Sequence, residues 1–200
     1  MTTKSLRSPP LEAAGSVPFA HPAGAAVGPW GSAGPLAIMH LPCPLGTLTL
    51  VAGAAGLREI RFADDDDALA TEANADAGRP AAILRGAADQ LAAYFAGQRT
   101  LFDLPLDPLG TPFQRAAWDI LRAIPYGTTI SYAEQARRLG DPRKARAVGG
   151  ANGRNPLPIV VPCHRVIGSG GALVGFAAGT GSKAWLLEHE RAVAGRVRSH

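Results

Sequence analysis

Apolar positions follow two different rhythms along this chain of 200 residues. Up to about Phe62 they come in short runs punctuated by Pro and Gly, the pattern of strands. Leu36–His40 and Gly46–Ala52 read as two strands joined through Pro42-Cys43-Pro44. Gly56 opens a third, in which Ile60 and Phe62 share a face and Arg58 and Arg61 flank them. From Pro80 the spacing changes to three and four. Ile83, Leu84, Ala87, Ala88, Leu91, Tyr94 and Phe95 form the stripe of a helix that Gly97 stops, with both aromatic rings expected in the core. Residues 98–110 hold Pro105, Pro108 and Gly110 and predict no element, so the domain boundary is placed there.

The second half is more strongly punctuated. Thr111-Pro112 is an N-cap with proline at the first helical position. Phe113, Ala116, Ala117, Ile120, Leu121 and Ile124 form the next stripe, closed by Pro125, and Tyr126-Gly127-Thr128 turns the chain. Ser131-Tyr132-Ala133-Glu134 fits a capping box for a helix that carries Ala133, Ala136 and Leu139 inward and ends at Gly140. Asp141-Pro142 caps another helix at once, running to about Asn152. So tight a junction reads as a helix-turn-helix, though plain helical hairpins look alike. The second helix bears Arg143 and Arg146 on one face, and Gly149, Gly150 and Gly153 come after these arginines. Glycines weaken a helix, so they suit a face that another backbone approaches closely, from a nucleic acid or from a neighbouring helix. Gly168-Ser169-Gly170-Gly171 predicts a flexible loop and Leu173–Gly181 a loop over a pocket. Lys183 to about Ala194 predicts the last helix, on which Glu190 faces the Cys163 region.

Composition adds bounds. Residues 1–35, rich in Pro, Gly, Ala and Ser, are expected to be a disordered lead-in, and residues 196–200 a basic, frayed tail. Asp64–Asp67 suggests a solvated acidic loop; a divalent metal site there lacks partner ligands. Residues 1–110 hold 7 Lys+Arg against 11 Asp+Glu, and residues 111–200 hold 13 against 5. A basic half joined to an acidic half suits a polyanionic partner, though a merely soluble basic surface looks the same. Two cysteines 120 positions apart form no disulfide framework and imply a reducing compartment. No signal peptide or membrane span is read.

The candidate chemistry lies in Asn155–Ile167, Asn-Pro-Leu-Pro-Ile-Val-Val-Pro-Cys-His-Arg-Val-Ile. Its prolines predict an extended segment. Cys163 stands directly before His164 and Arg165, the residue types that turn a thiol into a nucleophile. Taken alone, the pair is equally compatible with an inert buried thiol and a core histidine.

Several strings together carry a resemblance. Arg146-Ala-Val-Gly-Gly-Ala151, Asn155-Pro156, Pro158–Val166 and the helix pair before them resemble the methylated-DNA–protein-cysteine methyltransferases, or O6-alkylguanine-DNA alkyltransferases. The resemblance is strong from Thr111 to Glu190 and weaker from Leu36 to Gly97. It implies an α+β protein with three parts: a small N-terminal sheet-plus-helix domain at 36–105, a mainly helical DNA-binding alkyltransferase domain with a helix-turn-helix at 106–195, and a tail. It implies that Cys163 accepts an alkyl group from O6 of guanine, or less rapidly from O4 of thymine, once per molecule. By the same resemblance, His164 acts through a water and Glu190 orients it. Tyr132 protonates guanine N3. Arg146 fills the gap left by a flipped nucleotide, beside Ala147, Gly150 and Ala151 in the minor groove. Asn155 ties the helix pair to the Cys163 segment. Val166, Phe176, Ala177 and Lys183 belong to the substrate pocket. The implied partner is double-stranded DNA bound by a cytoplasmic monomer, with no cofactor.

Two departures stand out. Ala178 replaces the first glycine of the family's loop, and Ala177 lacks a hydroxyl that some relatives carry. His40 and Cys43 make at most half of the zinc site seen in some relatives. A non-catalytic lesion-binding protein and a Cys-His hydrolase are the rival readings; the first leaves Cys163 without a role, the second leaves the Arg146 helix without one.

Overall fold

A computed structural model describes residues 36–62 and 78–197. The lead-in 1–35, the acidic run Asp64–Asp67 and the end of the tail lie outside the described residues. The architecture is α+β, a small antiparallel sheet with one helix followed by a mainly helical half.

Strands β1 (Ala37–Cys43), β2 (Gly46–Ala52) and β3 (Leu57–Phe62) pair antiparallel in sequence order. The hairpin is tighter than the sequence predicts. β1 runs through Pro42 to Cys43, which pairs with Gly46, leaving only Pro44-Leu45 in the turn. Pro42 is tolerated because β1 is an edge strand, where one side needs no N–H donor. Helix α1 (Arg79–Phe95) packs on all three strands and buries Ile83, Leu84, Ala87, Leu91 and Tyr94.

Residues 98–110 hold no helix or strand, yet they are pinned to β3. Leu57 N–H donates to the Pro105 carbonyl, and Asp107 N–H donates to the Leu57 carbonyl, both at 2.8 Å. Gly56 is required here, since a β-carbon would sit 2.6 Å from the Pro105 oxygen. Arg58 is accordingly a buried residue and not a flanking one; its guanidinium meets Asp107 at 2.7 Å. β3 also reaches the reactive segment, because Ile60 N–H donates to the Pro156 carbonyl at 2.8 Å.

Helix α2 (Pro112–Arg122) starts with a full capping box between Thr111 and Gln114. Its buried stripe is rotated from the expected one. Ala116 is exposed, whereas Trp118 is among the largest wholly buried side chains. Ala117, Trp118, Leu121 and Ile124 share the inner face, and the Trp118 indole donates to the Ala151 carbonyl at 2.9 Å. That bond explains why a tryptophan won the interior, since burial leaves its N–H satisfied.

Helix α3 (Tyr132–Arg138) follows the two-residue strand β4 (Ile130–Ser131). Only half of the expected capping box forms. Ser131 Oγ accepts from Glu134 N–H, but the Glu134 carboxylate turns to Arg137 and Arg138. Ala133 is exposed and Gln135 is buried in its place. Gln135 and Asn152 exchange amide hydrogen bonds at 2.7 and 3.0 Å, clasping α3 to α4 (Ala145–Asn152). The second helix of the pair begins as a short 3-10 turn over Pro142–Lys144 and becomes α-helical only at Ala145.

Strand β5 (Val166–Ile167) pairs parallel with β4, placing Val166 opposite Ile130 and Ile167 opposite Ser131, next to Tyr132. The last helix, α5 (Gly179–Val197), begins four residues before Lys183 and takes up the end of the expected loop. Among the described residues no helix is long and apolar enough to cross a membrane.

Candidate active site

The segment holding Cys163 is folded, not extended. Val161 N–H donates to the Leu157 carbonyl, and Cys163 N–H donates to the Val161 carbonyl, each at 2.8 Å. The second bond closes an inverse γ-turn centred on Pro162, whose φ of −82° and ψ of 67° fit that turn. Cys163–Arg165 then winds into one 3-10 turn. These short-range backbone bonds override the extended bias of the prolines. Ile159 has a φ of +74°, a strained setting for a β-branched residue, and such strain gathers where surrounding structure over-determines the backbone.

Asn155 holds this bend from inside. Its Nδ2 donates to the Val161 carbonyl at 2.7 Å, and its Oδ1 accepts from Leu157 N–H at 3.0 Å. Asn155→Ala is expected to lose about 1–3 kcal/mol of stability, since two buried backbone groups lose their partner. Urea unfolding reads this directly. A loss under about 0.5 kcal/mol would mean the bend holds without Asn155.

Cys163 is buried with a free thiol, and His164, Arg165 and Glu190 are buried beside it. Glu190 gathers donors from four residues. His164 Nε2 lies 2.8 Å from Oε1. Arg165 reaches both oxygens, at 2.9 Å from Nη2 to Oε1 and 2.9 Å from Nε to Oε2. The Tyr94 hydroxyl donates to Oε1, and Gly127 N–H donates to Oε2, both at 2.9 Å. Arg165 also donates to the Ile124 carbonyl and lies over the Tyr126 ring.

Electrostatics fix the resting protonation. Burial pushes the Glu190 carboxyl up, but the hydrogen bonds and charges of His164 and Arg165 outweigh it and hold it down at about 2. Glu190 is thus an anion, and the proton between it and His164 sits on Nε2. Burial pushes His164 below the ordinary imidazole range; Glu190 opposes that, while Arg165 and Lys183 add to it. His164 Nδ1 is buried and takes no hydrogen bond from a described protein group. Burial also pushes the Cys163 thiol up, against the pull of Asn155, Lys183 and nearby backbone N–H groups. The resting pair is a neutral thiol beside a neutral imidazole, so the proton leaves during a reaction and not before it.

The pocket residues stand around this pair. Lys183 is buried, and its Nζ donates to the Val166 carbonyl at 2.6 Å and the Val174 carbonyl at 2.8 Å. The Tyr132 hydroxyl donates to the same Val174 carbonyl at 3.0 Å. Phe176 sets its ring edge-on to His164 and to Phe62 of β3. Ala177 is exposed on the loop and Ala178 half-buried. Tyr132, Ala133, Arg146, Gly149, Val174 and Gly175 line a cleft of about 520 Å³.

Along α4, Arg146, Ala147 and Gly150 are exposed, but Ala151 is buried. Ala151 therefore packs inward beneath the Trp118 bond and does not face a partner. Neither Gly149 nor Gly150 is demanded by internal packing. A β-carbon at either would meet only the Tyr132 ring or the Arg154 guanidinium, at ordinary contact distances. His40 Nδ1 meets Thr49 Oγ1 at 3.2 Å, and among the described residues no three His, Cys, Asp or Glu side chains gather around a common point.

Sequence reasoning missed Tyr94, Arg165 and Gly127 as partners of Glu190. Arg165 lies inside the Pro-Cys-His-Arg-Val string and was open to notice. Tyr94 gave only a core signal, and Gly127 contributes a backbone group that no side-chain motif records.

Comparison with known proteins gives two family matches. The 6-O-methylguanine DNA methyltransferase ribonuclease-like domain matches residues 39–108, and the DNA binding domain of the same name matches residues 112–192. A methylated-DNA–protein-cysteine methyltransferase of Mycobacterium bovis is 47% identical over 149 residues, covering 74% of this chain and 88% of that protein. One from Methanosarcina acetivorans is 43% identical over 147 residues, covering 74% and 93%. Among solved structures, Mycobacterium tuberculosis O6-methylguanine methyltransferase superposes with a TM-score of 0.68 at 43% identity, covering 79% of this chain and 94% of that one. A second structure of the tuberculosis protein, in complex with DNA, gives 0.67 at the same identity.

Proposed function

The chain belongs to the 6-O-methylguanine DNA methyltransferase family, and on that premise we propose that it repairs DNA by moving an alkyl group from O6 of guanine onto Cys163. The observation that carries the reading is the buried line at the centre of the site: a free thiol next to a neutral imidazole whose far nitrogen is anchored on Glu190.

In the reaction the sulfur attacks the alkyl carbon. An S–C bond forms as the C–O6 bond breaks. The thiol proton passes to His164 Nδ1 through a water, and a proton from the Tyr132 hydroxyl reaches guanine N3 as negative charge develops on the leaving base. Return of a proton from His164 to the Tyr132 oxygen through solvent restores both side chains and leaves guanine neutral. The thioether is stable and nothing in the site removes it, so each molecule acts once. Thymine alkylated at O4 offers the same bond to break and is the weaker substrate.

The target carbon lies inside the duplex, so the nucleotide must leave the stack. Helices α3 and α4 are the helix-turn-helix of this reading, entering the minor groove. Exposed Arg146 fills the gap, and the small residues Ala147 and Gly150 admit the backbone. Tyr132 and the Val174 loop border the nucleotide, with Val166, Phe176, Ala177 and Lys183 around the base. Residues 36–105 and 106–195 are taken as the two domains, and the protein is taken as a cytoplasmic monomer, a setting that keeps a nucleophilic thiol reduced.

Intact mass measurement after incubation with duplex DNA bearing O6-methylguanine tests the proposal. One methyl group per molecule, on the peptide holding Cys163, is the expected result. Tight binding with no gain in mass would make the protein a lesion-recognition factor instead. Arg146→Ala is expected to slow repair of duplex about tenfold to a hundredfold, while transfer from free O6-alkylguanine base stays near wild type. Equal slowing on both substrates would remove Arg146 from its gap-filling role.

A further inference from the structure

The carboxylate that anchors His164 receives one donor from well outside the reactive half of the chain. Tyr94 lies on α1, 96 positions before Glu190, and its hydroxyl meets Oε1 at 2.9 Å. Its ring is wholly buried, edge-on to Phe95 and Tyr126 and tilted against Phe102. A phenol fixed so firmly has one direction in which to donate. Oε1 is also the oxygen that holds His164.

We propose that Tyr94 is a positioning residue of the alkyl-transfer site, setting through Glu190 how strongly His164 attracts a proton. A neutral donor on Oε1 spreads the carboxylate's charge without neutralising it. Less of that charge then faces the imidazole, and the imidazole stays neutral and free to accept. Removing the hydroxyl concentrates the charge on His164 and makes it more basic. The N-terminal helix is in this way part of the chemistry and not only a support for the sheet.

The groups facing Glu190 and His164 from each packed element are Tyr94 on α1, Tyr126 in the turn after α2, Cys163 and Arg165 on the 3-10 turn, and Lys183 on α5. His189 on α5 lies against the Tyr94 ring itself. Burial holds His164 low, and the cations Arg165 and Lys183 add to it. Tyr94 is the neutral side chain of this set that hydrogen-bonds the carboxylate with a hydroxyl, and that hydroxyl can be deleted at constant charge.

The inference rests on the proposed role of His164, so its test reads a titration and not alkyl transfer. The midpoint of His164 is followed by NMR in the full chain, with thermal unfolding alongside. Tyr94→Phe, which keeps the ring, is expected to raise the midpoint by about half a pH unit. Placing 3-fluorotyrosine at position 94, a stronger donor that preserves the packing, is expected to lower it, and this arm stands even where the phenylalanine variant does not fold. In a Glu190→Gln background both shifts are expected to vanish. A midpoint unmoved by the fluorinated side chain, or by phenylalanine in a folded variant, overturns the inference. Failure of the wild-type protein to take up an alkyl group would instead sink the repair assignment and leave this titration to be read on its own.

Discussion

Cys163→Ser is expected to end alkyl transfer, by on the order of a thousandfold or more, the scale on which enzymes lose a nucleophile. The oxygen that takes the sulfur's place is a poor nucleophile at neutral pH and has no pre-formed anion to offer. Even the native thiol rests protonated, because burial outweighs the help of Asn155 and Lys183. Binding to DNA is expected to persist, since nucleic-acid affinity comes chiefly from contacts to the phosphate backbone, which a buried sulfur does not make. Cys163→Ala is the companion variant, because a serine hydroxyl in this pocket carries its own burial cost of about 1–3 kcal/mol. Transfer is measured as methyl uptake from lesion-bearing duplex and affinity by titration at fixed salt. Uptake above about a hundredth of wild type in both variants would move the nucleophile elsewhere. Cys43 is the other thiol in the sequence, at the tip of the β1–β2 hairpin and with its own thiol pushed up by burial.

What the sequence revealed of this fold follows the reach of its rules. Thr111, Ser131 and Asp141 act on N–H groups two or three positions away, and each side chain accepts such a bond, although Glu134 does not complete the box expected at Ser131. Glu190 was legible as a residue of the last helix near the Cys163 region, and the resemblance paired it with His164, which it meets at 2.8 Å. Long-range pairing was not legible. Arg58 looks like a surface residue until Asp107 is known to lie 49 positions on and within 2.7 Å. Gln135 and Asn152 carry no burial signal in the sequence, yet each satisfies the other in the interior, the condition under which amides are buried at low cost. The bend at Cys163 was hidden for a related reason. Proline sets its own φ and biases the residue before it, but it says nothing of side chains that bond across the segment. Asn155 does so, reaching the carbonyl of Val161 six positions on and closing the chain into a turn. Ala151 was placed on the outer face by the resemblance and its small size. Its burial depends on Trp118, whose place in the stripe the sequence left open.

Glu190→Ala is expected to be the most destabilising single substitution in the site. The carboxylate is the shared acceptor for Arg165, His164, Tyr94 and Gly127 N–H. Removing it leaves a buried guanidinium with only the Ile124 carbonyl and the Tyr126 face for company, and breaking a buried ion pair from one side costs about 3–5 kcal/mol. Glu190→Gln keeps an oxygen for two of the donors and is expected to lose less, while still freeing the imidazole to turn. The pH dependence carries the same signature. Glu190 is held at about 2 in the fold against an ordinary 4.5, so its contribution is complete above 4.5 and is lost as pH falls from there toward 2. His164 is lowered below 6.5, so protonation favours the unfolded chain and stability starts to fall as pH drops through 6.5. Both groups act in one direction, and the wild-type melting temperature is expected to decline from about pH 7 to about pH 3. In Glu190→Gln the lower part of that decline flattens, since the buried carboxylate at position 190 is no longer there to protonate. A Glu190→Ala protein that melts with wild type at neutral pH, or a glutamine variant with the full acid slope, would show that Arg165 and His164 find other partners and that Glu190 does not hold the site together.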